Sequence, residues 1–309
     1  MLPTLPVSPE QIQANLQTQY AVISPIKDEA EYIAMTITSM LAQTIRPVVW
    51  IIVNDGSHDN TQSIVEKYAQ ENPWIKLVNR QDMGIRKRGK GVVEAFYTGF
   101  KTLAAPYDFI VKLDGDVTFG PDYFEAILKR FAADPRLGIA GGGVYEKANG
   151  RAYILNTARE HVRGCTKIYR RTCFDEIGGL VSAMGWDGID EWQALSKNWK
   201  VQSFLEEKIY HHRLAGKATG FLKSNFEQGV GAYCMGYHPL FIIARGIRRI
   251  TDPPFLLSGA AMIGGYFSAW VQRKELLADP SVIRYVRQSQ LSILSEMVTR
   301  KQGRRETVK

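Results

Sequence analysis

Two carboxylates one glycine apart, Asp114 and Asp116, stand at the end of the apolar run 109–113, and they are the strongest chemical signal in the chain. Like charges held on one short turn repel each other, so the pair is a poor device for stability. It is a good oxygen site for Mg²⁺ or Mn²⁺ carrying a diphosphate, because these hard cations take carboxylate ligands. Gly115 between them lets the backbone come close to a ligand. An Asp-Gly turn that only ends a strand is the competing reading of the same three residues.

Other stretches point the same way. The apolar run 48–53 ends in Asn54-Asp55-Gly56-Ser57, and the run 21–26 ends in Lys27-Asp28-Glu29. Residues 84–91 set glycines among Arg86, Lys87, Arg88 and Lys90 just before a helical pattern, where free amides, helix dipole and positive charge favour an anion. A P-loop is excluded because Gly91 stands where Ser or Thr is required, and a plain basic surface loop is the alternative. No G-x-G-x-x-G follows a strand, which argues against a dehydrogenase. Cys165, Cys173 and Cys234 form neither a C-x-x-C pair nor a zinc spacing.

The elements that must position these groups read as alternating strands and helices. The runs 21–26, 48–53 and 109–113 are too apolar to have a wet face and are expected as central strands of a parallel sheet. Helical patterns follow the first two, giving the strand, loop, helix, strand order of a nucleotide-binding fold. The acidic turns then lie at strand carboxyl ends, where open α/β sheets bind ligands. An amphipathic helix is expected over 121–133, a glycine-rich strand over 137–145, a helix from 185 to 198 and a further strand over 200–204, with 209–213 closing the compact region. The predicted fold is α/β, a Rossmann-like, mostly parallel sheet flanked by helices. It divides into an arm at 1–20, a main domain at 21–215 and a helical C-terminal region at 216–309.

A chain of 309 residues with 45% hydrophobic content can bury a full core, and its net charge of +8 points to an anionic partner, whether nucleotide, phospholipid surface or nucleic acid. Residues 253–272 contain no charge and are bracketed by Arg248, Arg249 and Asp252 before and by Arg273 and Lys274 after. The segment is about long enough to cross a bilayer, but glycine, serine and proline dilute it. A buried helix pair, an interfacial or re-entrant segment and a full span stand open. The basic flanks suit anionic headgroups on a cytoplasmic leaflet. The N-terminus has no basic n-region and no apolar h-region, so a cytoplasmic location is expected, with peripheral contact to the cytoplasmic face of an anionic membrane as the associated reading.

The ordered set Ser24-Pro25-Ile-Lys-Asp28-Glu29, Asn54-Asp55-Gly-Ser57 with Asp59 and Thr61, Gly89-Lys90-Gly91, Leu113-Asp114-Gly-Asp116, Arg170-Arg171 and Gly178-Gly179, with a later acidic helix start, resembles the family-2 glycosyltransferases of GT-A fold. The resemblance covers roughly residues 20–215. It implies an inverting, metal-dependent transfer of a single sugar from a nucleotide-diphosphate donor to a glycan or polyprenyl-phosphate-type acceptor, with no nucleic acid involved. It places Asp55 on the base, Pro25 and Asp28 beside the same pocket, and Lys90 near base and diphosphate. Asp114 would contact ribose or metal, Asp116 a divalent cation, Mn²⁺ or Mg²⁺, and His211 would complete the metal or diphosphate site. Arg170-Arg171 match a frequent basic pair, read as a phosphate contact or as a surface ion pair.

The reaction itself needs a carboxylate to take the acceptor's proton and a positive charge to stabilise the departing diphosphate. Here the sequence departs from the family, which usually shows Glu-Asp at the late helix start. The matching pair is Trp186-Asp187, with Asp190 and Glu191 one turn on. Counting back from the helix end assigns Asp187 as base. Asp190 is the reserve, because residues three apart share a helix face. The missing Glu leaves a catalytically inactive GT-A-like scaffold as an alternative, beside a module that binds anionic surfaces. A sugar-nucleotide pyrophosphorylase would need G-x-G-x-R after the first strand, and residues 24–29 lack it. The Q-x-x-R-W string of processive synthases does not occur, which favours single transfer.

Overall fold

The computed structural model describes residues 18–81, 89–148, 151–155, 158–183, 185–213, 221–249 and 256–306. The expected arm, apart from residues 18–20, and most of the basic loop at 84–91 lie outside the described residues. The chain forms two compact units, residues 1–179 with 198–213, and residues 180–197 with 214–309.

The first unit is built on a sheet of nine strands. Strands β1 (Tyr20–Ile26), β2 (Val49–Asn54) and β3 (Ile75–Asn79) run parallel, linked by helices α1 (Ile33–Leu41) and α2 (Thr61–Glu71). Helix α3 (Lys90–Phe100) leads to β4 (Phe109–Leu113), which lies parallel to β1. Then come β5 (Val117–Phe119), α4 (Tyr123–Ala133), β6 (Leu137–Ala148), β7 (Arg151–Ile154), β8 (Thr166–Arg170), α5 (Arg171–Glu176) and β9 (Lys200–His211). The order is β3-β2-β1-β4-β8-β6-β9-β5, with β7 paired to β6. β8 is antiparallel to β4, and β5 is antiparallel to β9, so the sheet is mixed beyond its parallel half.

The apolar runs became the sheet's centre for the expected reason: β4 is buried along its whole length and β2 at every residue but its first. Around them Tyr20 stacks on Phe124 at 5.0 Å and Phe109 meets Phe131 at 4.7 Å. Burying such a side chain contributes roughly 1.5–3 kcal/mol. The strand expected over 200–204 runs on to His211. β6 pairs Gly142 with Phe204 and then Gly143 with Lys208, so β9 bulges through 205–207 without leaving the ladder. Extra residues absorbed in a bulge break the alternation that a sequence shows while the hydrogen-bonded pairing continues.

The second unit is helical: α6 (Trp186–Ser196), α7 (Phe221–Cys234), α8 (Pro239–Arg248), α9 (Leu257–Val271) and α10 (Pro280–Glu306). Its core gathers Tyr237, Ile242, Tyr266, Val282, Ile283 and Val286. The glycines that dilute the uncharged segment are its contact points. A Cβ on Gly265 would stand 2.0 Å from the Phe226 carbonyl oxygen, and one on Gly259 would stand 2.2 Å from that of Gly246. α9 therefore lies backbone to backbone against α7 and α8. Among the described residues no helix is long and apolar enough to cross a membrane.

Candidate functional site

The acidic turn is fixed by three neighbours in the first unit. The Thr36 hydroxyl donates to the Gly115 carbonyl at 2.8 Å. A Cβ on Gly115 would come within 2.8 Å of the Ile26 side chain and 3.3 Å of that of Glu29. The glycine thus lets the turn press on the end of β1, a packing need beside the ligand approach expected of it. On the other side the His212 amide donates to the Asp116 carbonyl at 2.9 Å, and β5 pairs Val117 with His211.

This ladder brings together the three expected metal residues. Ligand atoms of Asp114, Asp116 and His211 all lie within 4.8 Å of one another. His211 Nε2 is 3.5 Å from Asp116 Oδ2, and its Nδ1 is 3.2 Å from Oε1 of Glu146. Asp116 is 5% exposed, and its Oδ1 is buried with no hydrogen-bond partner. Burial first, and then the charge of Asp114, push the Asp116 carboxyl above the usual carboxylate range, against the pull of His211, Arg213 and Lys112. Two oxygen donors, one imidazole and an unbonded buried oxygen fit a divalent cation.

Fixed cations flank the pair. Lys112, nearly buried, contacts Asp114 Oδ1 and donates to the Gly164 carbonyl at 2.7 Å. Arg213 donates to Glu29 Oε2 at 2.6 Å and to the Asp28 carbonyl at 2.9 Å, with its Nε 3.7 Å from Asp116 Oδ2. Arg213 therefore ties the ends of β1 and β9 to the acidic turn.

The residues expected around a nucleotide are less concentrated. Asp28 adopts φ 53°, and its carboxylate accepts from the His58 amide at 2.8 Å, while its own amide donates to Ser57 Oγ at 2.9 Å. That exchange stitches the loop after β1 to the loop after β2. Asp55 accepts from Arg80 at 2.7 Å. Pro25 lies on β1 beyond the last residue paired to β4, where its missing N–H costs no ladder bond on that side. Lys90 opens α3, is largely exposed and stands 3.7 Å from Glu94.

Arg170 and Arg171 are structural. Arg170 donates to the carbonyls of Phe131, Asp134 and Leu137, and lies over the rings of Phe109 and Phe131. Its register partner is Phe109, at the opposite end of β4 from Asp114, so the phosphate-contact reading falls. Arg171 faces Asp175 at 3.7 Å.

In the second unit, Gly185 in the left-handed region (φ 82°) starts α6. Asp187 stands half-buried in the first turn, whereas Asp190 is fully buried and Glu191 nearly so. Asp190 Oδ1 accepts from the Glu191 amide at 2.7 Å.

Sequence reasoning missed Glu146, Arg80 and Arg213 as site residues. The expected strand stopped at Tyr145, one residue short of Glu146. Arg213 could have been noticed as the cation that closes the His-His-Arg run, but its partners Glu29 and Asp116 are remote in sequence.

With this geometry in place, comparison with known proteins fixes the class. The model of glycosyl transferase family 2 matches residues 21–186, more than half of the chain. The chain belongs to glycosyl transferase family 2, and its solved neighbours share the GT-A fold. A mannosyltransferase from Pyrobaculum calidifontis, solved with GDP-Man and Mn²⁺, superposes with a TM-score of 0.53 at 16% identity, over 94% of this chain and 83% of that one. Staphylococcus aureus TarS residues 1–349 give 0.51 at 14% identity, over 83% and 73%. Among curated proteins, the poly-β-1,6-N-acetyl-D-glucosamine synthase of Staphylococcus aureus is 32% identical over 142 residues, 45% of this chain. The match spans only 32% of that synthase's length. The glycosyltransferase EpsH of Bacillus subtilis, itself described as putative, is 25% identical over 65% of this chain and 63% of its own.

Proposed function

We propose that this chain is an inverting, divalent-cation-dependent glycosyltransferase that moves one sugar from a nucleotide-diphosphate donor to a glycan or lipid-linked acceptor. The observation that carries the reading is the cluster of Asp114, Asp116 and His211 at the carboxyl end of β4, with a buried Asp116 oxygen that no protein group bonds. Family membership supports it, as do the Mn²⁺ and nucleotide sugars bound by GT-A neighbours.

In this reading Asp116 and His211 hold the cation and Asp114 shares it or the ribose. The cation, Mn²⁺ or Mg²⁺, supplies positive charge to the diphosphate leaving group. Asp55, with Arg80 against it, offers a polar edge to the base, and Pro25 and Asp28 shape the same pocket. Lys90 is assigned to the diphosphate as an exposed cation at a helix start. Asp187 takes the acceptor's proton: a half-buried carboxylate in a first turn keeps access to substrate, which a fully buried Asp190 lacks. The reserve role of Asp190 is correspondingly weaker. Three free cysteines among the described residues accord with a reducing, cytoplasmic setting.

The test is a thermal-shift screen against UDP, GDP, CDP and dTDP, each with Mn²⁺, Mg²⁺ or chelator. Ligand at a hundred times its Kd stabilises by about 2.7 kcal/mol, a readily measured rise in melting temperature. A rise with one nucleotide that needs the cation and disappears in Asp116→Asn is the expected result. No response to any nucleotide, or an unchanged response in Asp116→Asn, overturns the reading. The inactive-scaffold alternative is favoured by Trp186 standing where the family shows Glu. It predicts nucleotide binding without any sugar transfer or donor hydrolysis.

A further inference from the structure

A buried glutamate needs partners, and Glu146, 2% exposed, has them in a row across the sheet. β7 pairs Tyr153 with Glu146, and β9 pairs His211 with the same Glu146. Register partners on adjacent strands point to one face. Tyr153, Glu146 and His211 therefore stand side by side on β7, β6 and β9. The Tyr153 hydroxyl donates to Glu146 Oε2 at 3.0 Å. Glu146 Oε1 lies 3.2 Å from His211 Nδ1. The far nitrogen of the same ring, Nε2, is the one 3.5 Å from Asp116 Oδ2.

We infer that Glu146 is the positioning residue of the cation site: it takes the hydrogen of His211 Nδ1 and so fixes the ring with the Nε2 lone pair facing Asp116 and Asp114. The inference rests on the cation reading above. In a neutral imidazole one nitrogen donates and the other accepts, so a carboxylate on Nδ1 decides which nitrogen is available as a ligand. Histidines that bind metals commonly give their second N–H to a carboxylate, and losing that outer partner lowers metal affinity about 10- to 100-fold. Tyr153 acts in the same way at one further remove, holding the Glu146 carboxylate against rotation. The neighbouring register pair, Tyr145 with Tyr210, is aromatic, its rings tilted and 6.0 Å apart.

The experiment is a titration of the full chain with Mn²⁺, alone and with UDP or GDP, read by the paramagnetic resonance of free Mn²⁺. Glu146→Ala is expected to weaken Mn²⁺ binding about 10- to 100-fold. Glu146→Gln, which keeps an acceptor for the Nδ1 hydrogen, recovers most of that loss. In a His211→Ala background, Glu146→Ala should change nothing further, because its effect passes through the ring. A loss of equal size in both backgrounds, or wild-type affinity in Glu146→Ala, overturns the assignment while the cation site stands. If Glu146→Ala does not fold, Glu146→Gln is compared with and without His211→Ala: a several-fold loss confined to the His211 background supports the inference, and an equal loss in both overturns it. Wild-type chain that binds no Mn²⁺ under any of these conditions removes the cation reading and this one with it.

Discussion

Asp187 and Asp190 differ by one helical turn and by their access to water, and the proposed division into a chemical role and a structural one rests on that difference. Asp187 sits half-buried in the first turn of α6. Asp190 is fully buried, and one of its oxygens is already held by the backbone of Glu191. Asp187→Asn is therefore expected to lower kcat about 10²- to 10⁴-fold, the usual worth of a positioned base, while donor binding stays within a few-fold of wild type. Asp190→Asn should act first on thermal stability. Steady-state rates and melting curves on the two variants check this. The reverse pattern, with activity lost in Asp190→Asn alone, would move the base by one turn. Residue types in the sequence show which groups could do chemistry here. Burial, which separates the two carboxylates, comes from tertiary packing and leaves no trace in local sequence.

At the scale of elements, the two loops that present Asp28 and Asp55 are tied together by a second acidic side chain besides Asp28. Asp59 Oδ2 accepts from the Ala30 amide at 3.0 Å, and Oδ1 accepts from the Thr61 amide at 3.0 Å and from the Thr61 hydroxyl. Desolvation pushes its pKa up, but the bonds from Thr61 and Ala30 outweigh it and hold the carboxyl below its usual value. A carboxyl lowered in the folded state contributes stability above its unfolded pKa, near 3.9, and that stability is lost as pH falls through the folded value. Asp59→Asn should therefore cost about 1 kcal/mol near neutral pH, a figure discounted for the group's exposure. It should also flatten the fall in stability below about pH 4. Urea melts of both proteins from pH 2 to 7 measure it; parallel curves across that range would show the tie to be idle.

Elements of this kind were unevenly legible. β1, β2 and β4 are buried on both faces, so their apolar runs announced them and their acidic ends. β9 was read only as far as Phe204 because its bulge interrupts the pattern. The row Tyr153, Glu146, His211 could not be read whole, since His211 reaches Glu146 only through the long-range pairing of β6 with β9. The packing of Arg170 was illegible for the same reason: its partners Phe131 and Phe109 come from other elements.

At the scale of the whole molecule, the uncharged segment has resolved into a helix with two unlike sides. One side of α9 packs through Gly259, Met262, Gly265, Tyr266 and Ala269. The other carries Leu257, Ala260, Gly264 and Val271, all exposed and spaced by three, four and seven residues, so that they share a face. No charge interrupts that face, and Trp270 is 60% exposed beside it. Arg273 and Lys274 follow at once, and Arg245 and Arg248 are exposed on α8, the helix packed against α9. An apolar helix face with an aromatic and basic residues at its ends suits the boundary of an anionic bilayer, and α9, at 15 residues, is too short to cross one. The chain is therefore expected to float with vesicles rich in phosphatidylserine, less so as salt is raised, and to stay behind with phosphatidylcholine alone. At about 1 kcal/mol per basic residue, replacing Arg273 and Lys274 by alanine should lower the partition coefficient about thirtyfold, and Val271→Glu should abolish binding without lowering the melting temperature. If the chain floats with such vesicles, a lipid-linked acceptor would be delivered at the surface to which it binds. If the chain ignores anionic vesicles at low salt, that face is left for a protein contact, and a soluble glycan becomes the better acceptor.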